Sequence, residues 1–284
     1  MKIDYWVYDP SGNITVLASP EAGSELSGAA LAEAARRLME AVPEAEQVGF
    51  IRPVRSAVRG RLQMAGGEFC GNAAMSLGVH LAHGIPPYTD EIPLEVSGAS
   101  GTVRVRVTVD AEGNATGEVD MPLPESISLE TFPGDILDGK GTEKNRPLSV
   151  PVVHMPGIDH VIVPCEGALS GTLDTPALEQ AFQSWMQQLH APAFGLILLD
   201  EDAAAIRPLV CVPDAGTSIW ERACGSGSAA VAAWLATQRR ASTEIALAQP
   251  GGSITARATL QGGKLHKLTI SGSVRFVRSG QIEL

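Results

Sequence analysis

The chain has no run of 18 apolar residues and no apolar stretch behind its first residues, Met1-Lys2-Ile3-Asp4-Tyr5-Trp6, so nothing in it reads as a membrane span or a secretion signal. It has no basic cluster larger than Arg239-Arg240, and 21 basic against 32 acidic residues leave a net charge of −11. Nucleic acid and anionic membrane surfaces are therefore poor partners. Cysteine is scarce: there are four, none in a Cys-x-x-Cys pair, and Cys165 and Cys211 lie far in sequence from Cys70 and Cys224. That spacing argues against a zinc site, and no metal is expected. Without a secretion signal the expectation is a cytoplasmic protein with reduced thiols, and the acceptor patterns Asn13-Ile14-Thr15 and Asn114-Ala115-Thr116 carry no weight. What is present, 44% apolar and 19% charged residues over 284 positions, is the composition of a folded globular chain long enough for two domains.

Two short segments repeat one arrangement: Glu68-Phe69-Cys70-Gly71-Asn72-Ala73-Ala74 and Arg222-Ala223-Cys224-Gly225-Ser226-Gly227-Ser228-Ala229-Ala230. In each, a cysteine and a glycine precede a small polar residue and an alanine-rich apolar helix. Unpaired N–H groups and the macrodipole at a helix start favour a thiolate, and the same N–H groups can hold a carboxylate. A lone buried cysteine is usually a small hydrophobe, but two in matching Gly-rich helix starts are harder to explain as packing. The pair points to two-base proton transfer. Gly225-Ser226-Gly227-Ser228-Ala229-Ala230 also fits the loose dinucleotide pattern G-x-G-x-x-A, yet it lacks the buried strand upstream and the acidic residue ending the next strand.

Strand patterns recur in the first half at Tyr5–Val7, Thr15–Leu17, Val48–Ile51, Arg61–Met64, Pro93–Val96 and Val103–Val107, the last alternating strictly. Leu31, Ala34, Ala35, Leu38, Met39 and Val42 give an amphipathic helix over about residues 25–42, with Glu33, Arg36, Arg37 and Glu40 as its solvated face. Residues 121–150, rich in Pro, Gly and charge, read as a surface connection. The second half repeats the order: strands near 151–154 and 160–164, a helix over about 176–189, strands near 194–200 and 206–212, the Cys224 helix and four closing strands. An internal duplication accounts for this, with the two helix starts facing one cleft.

At these residues the sequence resembles the diaminopimelate epimerase family of cofactor-independent amino-acid racemases and, more distantly, the proline racemases. Cys70-Gly71-Asn72 and Ala223-Cys224-Gly225-Ser226-Gly227 are its most specific parts. The resemblance implies an α/β (α+β) fold of two pseudo-symmetric domains, each a mostly antiparallel sheet or barrel wrapped around a central helix. It divides the chain into residues 1–120 with a last strand at about 272–284, and residues 121–271. It implies a homodimer, a small amino-acid substrate and no cofactor. Cys70 and Cys224 match the catalytic pair, His160 in Gly157-Ile158-Asp159-His160 the histidine implicated in poising the first thiol, and Glu221 the acidic partner of Cys224. Asn13, Gln47, Met64, Gly71, Asn72, Ala193, Arg222, Gly225 and Ser226 fall at substrate-pocket positions. Read alone, Asn13 is a turn residue, Gln47 a surface residue at a strand start and His160 a satisfied core histidine.

The departures from that family bear on substrate. Met64 and Ala193 stand where the family carries two asparagines that hold the distal end of diaminopimelate, and only Ala223 separates Glu221-Arg222 from Cys224. Apolar replacements point to a smaller or less polar side chain, and within this superfamily the expectation is a histidine racemase supplying D-histidine to a metal-chelating metabolite. The alternative enzyme is diaminopimelate epimerase itself. The phenazine-pathway isomerases of the superfamily lack the cysteine pair, which argues against that class. A non-catalytic amino-acid or dinucleotide-binding module is the alternative of another kind, and it would not exchange an α-proton.

Overall fold

Strict alternation in Thr102–Val109 buries Val103, Val105, Val107 and Val109 and exposes the residues between them, the mark of a strand with one face on a core. In the computed structural model, which describes residues 1–20, 26–54, 57–133, 147–170, 173, 175–213 and 216–284, the chain divides into two compact units. Met1–Met121 with Thr269–Leu284 form one, and Pro122–Leu268 the other.

The first unit runs β1 (Lys2–Pro10), β2 (Thr15–Pro20), α1 (Gly28–Ala41), β3 (Gln47–Arg52), β4 (Gly60–Met64), α2 (Gly71–Leu81), β5 (Tyr88–Val96), β6 (Thr102–Val109) and β7 (Ala115–Asp120). It is completed by the far end of β16 (Lys264–Glu283). The strands pair in the order β1 to β7 and then β16, which returns to pair with β1, so the sheet closes on itself and no edge is left. Pairs β2–β3 and β4–β5 are parallel because α1 and α2 make the crossovers between them. Helix α2 is buried on every side from Gly71 to Gly78 and packs against β1 through β7, so it fills the ring. Met75 and Leu77, fully buried there, contribute about 1.5–3 kcal/mol each. Gly78 permits the fit, since a Cβ there would sit 2.5 Å from Val105 Cγ1. Outside the ring, α1 turns Leu31, Ala34, Ala35 and Leu38 onto Val16, Val48 and Phe50. Its charged face is solvated, with Arg36 paired to Glu33 at 2.7 Å and also to Glu40.

The second unit repeats the order with β9 (Pro147–Met155), β10 (Ile158–Pro164), α3 (Thr175–Met186), β11 (Ala193–Asp200), β12 (Ala205–Val212), β13 (Thr217–Trp220), α4 (Gly225–Arg239), β14 (Thr243–Gln249), β15 (Gly252–Gln261) and the start of β16. A preceding strand, β8 (Ser126–Pro133), pairs antiparallel with β9. Again the parallel pairs, β10–β11 and β12–β14, are those whose connections carry helices. Helix α4 is the buried one, packed on β14, β15, β9 and β10. Helix α3 seats Leu178, Phe182 and Trp185 on the other side, with Trp185 stacked on Phe132 at 4.8 Å.

The structure corrects the sequence reading at several points. The stretch 121–150 is not all connection: β8 and the start of β9 lie in it, and residues 134–146 are outside the described ones. Strand β8 escaped detection because only Phe132 is buried in it. Strand β7 was also missed. The first helix starts at Gly28, and residues 21–25 are outside the described ones. Helix α3 stops at Met186, where the chain tightens into i→i+3 bonds from Gln188 N–H to Trp185 O and Leu189 N–H to Met186 O. Three strands follow α4 rather than four, because β16 is a single strand of 20 residues. Ahead of Gly225, β13 is four residues long and mostly exposed, so the dinucleotide pattern lacks its buried strand.

Candidate active site

Each segment of cysteine followed by glycine becomes a helix cap. Cys70 is the N-cap of α2, with φ −129° and ψ 112°, and its sulfur accepts the Ala73 N–H at 3.4 Å while its carbonyl accepts the Ala74 N–H at 3.0 Å. Cys224 caps α4 in the same way, its sulfur accepting the Gly227 N–H at 3.3 Å and its carbonyl the Ser228 N–H at 3.1 Å. The third and fourth N–H groups of each helix are thereby satisfied by the cysteine. The first two, on Gly71 and Asn72 and on Gly225 and Ser226, have no acceptor within the helix and carry its positive dipole end.

In the first unit the structure joins three of the sequence-predicted residues by hydrogen bonds. The half-buried Cys70 thiol donates to Gln47 Oε1 at 2.9 Å. Gln47 Nε2 donates to Asn13 Oδ1 and, at 2.8 Å, to Thr15 Oγ1. Asn13 Nδ2 donates to Glu46 Oε2 at 2.7 Å. Asn13 lies in the turn between β1 and β2 and is buried, and Gln47 opens β3, so strand pairing places the chain beside the head of α2. Met64 stands apart from it. It ends β4 with no accessible surface and gives its N–H to Ser97 Oγ at 2.9 Å, so a ligand can meet it only after something in front moves.

In the second unit Glu221 and the Cys224 thiol are hydrogen-bonded, so the one-residue spacing through Ala223 still brings carboxyl and sulfur together. Burial pushes Glu221 up to about 7, partly offset by the bond from Cys224. Burial, and next the Glu221 charge, push the Cys224 thiol well above the usual thiol range, while Ser226 and the Gly227 N–H pull it back. The two groups compete for a proton and titrate as a pair. Ser226 Oγ lies 3.5 Å from the sulfur. Arg222 is exposed, and its carbonyl accepts the Gly251 N–H at 2.8 Å.

His160 and Ala193 lie on the neighbouring parallel strands β10 and β11, where Ile158 pairs with Ala193 and His160 with Gly195. His160 is fully buried, and neither ring nitrogen has a hydrogen-bond partner among the described residues. Its ring occupies the space that a Cβ on Gly195 would take, 2.1 Å from Nδ1. Burial pushes its pKa down to about 3, so it is a neutral imidazole and not a cation.

Sequence reasoning missed the partners that come from other strands. Gln249 accepts the Cys224 N–H at 2.7 Å and donates to Ser228 Oγ at 3.0 Å, and Ser228 Oγ donates to the Cys224 carbonyl at 2.7 Å. Thr15 and Glu46 complete the chain behind Gln47. No local pattern marks these residues, although Glu46 adjoins Gln47. Among the described residues no group of three or more His, Cys, Asp or Glu is placed to hold a metal, and no helix is long and apolar enough to cross a membrane.

A family model described as the histidine racemase CntK N-terminal domain matches residues 2–282. The histidine racemase of Staphylococcus aureus (strain Mu50) is 30% identical over 286 residues, spanning 98% of this chain and 97% of that protein. Among solved structures, the Bacillus anthracis phenazine biosynthesis protein of the PhzF family aligns over 100% of both chains with a TM-score of 0.68 at 17% identity. A probable proline racemase from Agrobacterium radiobacter K84, solved with bound carbonate, aligns over 99% of this chain and 93% of that one, with a TM-score of 0.65 at 16% identity. Identities this low speak for a common fold alone.

Proposed function

The chain belongs to the family of the histidine racemase CntK N-terminal domain, and from that premise we propose that it is a cofactor-independent histidine racemase with Cys70 and Cys224 as its two proton-transferring groups. The observation that carries the assignment of residues is the matched pair of caps: each unit starts its buried helix with a cysteine whose sulfur accepts the N–H three residues on.

The α-proton of an amino acid is weakly acidic, and without a cofactor the developing carbanion must be stabilised electrostatically. A helix start of this kind, Gly71 and Asn72 in one unit or Gly225 and Ser226 in the other, can hold a carboxylate on its N–H groups at the positive end of the dipole. The Glu221 carboxylate, ionised above about pH 7, takes the Cys224 thiol proton as the sulfur takes the α-proton from one face. Cys70 gives its thiol proton to the opposite face. The bond from carbon to the departing hydrogen breaks as one to the arriving hydrogen forms, and the enzyme is left with a Cys224 thiol and a Cys70 thiolate. In the reverse direction the roles exchange. Asn13 and Gln47 in one unit and Ala193 and Arg222 in the other are assigned to substrate binding, and His160, which burial keeps neutral, is no charged partner for either thiol. The enzyme is further read as a cytoplasmic homodimer, which light scattering of the purified protein tests.

Incubation of either histidine enantiomer in D₂O, followed by mass and chiral analysis, tests the reading. One deuterium at Cα of the inverted product, with little in the unreacted substrate at early times, is the expected result. Exchange with retained configuration, or no exchange with histidine, overturns it.

A further inference from the structure

A two-base racemase needs one thiol charged and the other neutral, and two helix caps of the same kind do not by themselves distinguish them. Their side-chain partners do. Cys224 faces a carboxyl, which can take up a proton, whereas Cys70 faces the Gln47 amide, which cannot. Which end of that amide meets the sulfur is decided by the groups behind it. A carboxylate only accepts, so Glu46 Oε2 selects Nδ2 of Asn13 and turns Asn13 Oδ1 toward Gln47. Thr15 Oγ1 spends its proton on the Asn13 carbonyl at 3.1 Å and therefore also accepts from Gln47 Nε2. Two acceptors thus fix Nε2, and Oε1 is left to accept from the Cys70 S–H.

We propose that Glu46 is a positioning residue for the reaction: through Asn13 it fixes the Gln47 amide with Oε1 toward Cys70, holding Cys70 as the proton-loaded thiol of the resting enzyme. The relay is polarised by one charge at its far end. A reversed amide would offer N–H to the sulfur and favour the thiolate instead, leaving the enzyme with two candidate bases and no proton donor.

The inference rests on the two-thiol reading, but it is read without turnover. Iodoacetamide alkylation of the folded protein at one fixed pH, followed by peptide mass analysis, gives a separate rate for Cys70 and for the half-buried Cys165 as internal reference. In Glu46→Gln the amide at 46 accepts either face of Asn13, the relay can reverse, and Cys70 alkylation should rise about tenfold, on the scale of one hydrogen bond to a charged sulfur. Cys165 should not change. Thr15→Val, which removes the second acceptor while keeping core volume, should act in the same direction, and it serves alone should Glu46→Gln fail to fold. A Cys70 rate that is unchanged or slower overturns the inference, as does a common rise of Cys70 and Cys165, which would report loosened structure. Loss of racemisation in Cys70→Ala with an unchanged alkylation rate in Glu46→Gln removes only this inference; retained racemisation in Cys70→Ala removes the two-thiol reading.

Discussion

Replacing Glu221 with glutamine keeps its size and an oxygen able to accept from the Cys224 S–H, and removes only the charge and the capacity to hold a proton. In the wild type, burial raises Glu221 from 4.5 to about 7. At 1.36 kcal/mol per unit that is about 3 kcal/mol against its ionised form. Below about pH 7 the Glu221–Cys224 pair carries both protons and has no base, so kcat/KM for histidine should climb as pH rises through about 7. In Glu221→Gln that limb should vanish, and at pH 8 the rate should fall by about 10²–10⁴, the usual worth of a positioned proton acceptor. Stability changes in the opposite sense. The folded-state value lies above the unfolded one, so the stabilisation from this group is fully present below 4.5 and is lost as pH rises through about 7. The variant should lack that decline and melt higher than the wild type at pH 8. Chiral chromatography across pH 5.5–9.5 and thermal unfolding across the same range supply both readings. A variant that keeps the limb near pH 7, with rates within a few-fold of wild type, would refute the role given to Glu221.

Three further outcomes are expected. Cys70→Ala and Cys224→Ala should each abolish racemisation in the chiral assay, while Cys165→Ala and Cys211→Ala should leave it largely intact. LL-diaminopimelate should be turned over about a thousandfold or more less efficiently than histidine, because Met64 and Ala193 offer no partners to a charged distal end; a competition assay in which it outruns histidine refutes that inference. Gly78→Ala should cost about 1–3 kcal/mol in denaturant unfolding, since its methyl would meet Val105 Cγ1 at 2.5 Å.

The parts of this protein legible in the sequence are those encoded locally. Val103–Val107 announces its strand by alternation, and the runs after Cys70 and Cys224 announce buried helices because apolar residues cover their whole circumference. Strand β8 could not be read, since an exposed edge strand imposes no burial pattern. The cysteines, Gly71, Asn72, Gly225 and Ser226 were visible as a motif because a cap and its helix are contiguous. Their polar partners were not. Thr15, Glu46 and Gln249 are ordinary strand and loop residues until pairing brings β2, β3 and β14 beside the helix heads, and nothing in a linear pattern states which strands will be neighbours. Glu221 was found, but whether its carboxyl still reached the thiol across the two intervening residues depended on backbone geometry.

Strand β16 pairs Glu283 with Lys2 and Val274 with Pro10, so β1 is matched by a strand translated only after the second unit. While the ribosome is producing the second unit, β1 has only β2 on one side, and the ring around α2 stays open. The first unit therefore reverses the usual order in which an amino-terminal domain matures first. A nascent chain interrupted anywhere before residue 269 presents an unpaired β1 edge and an apolar ring lining to its surroundings, the combination that invites intermolecular pairing. Ribosome stalling late in the message should yield aggregate rather than a soluble half-enzyme.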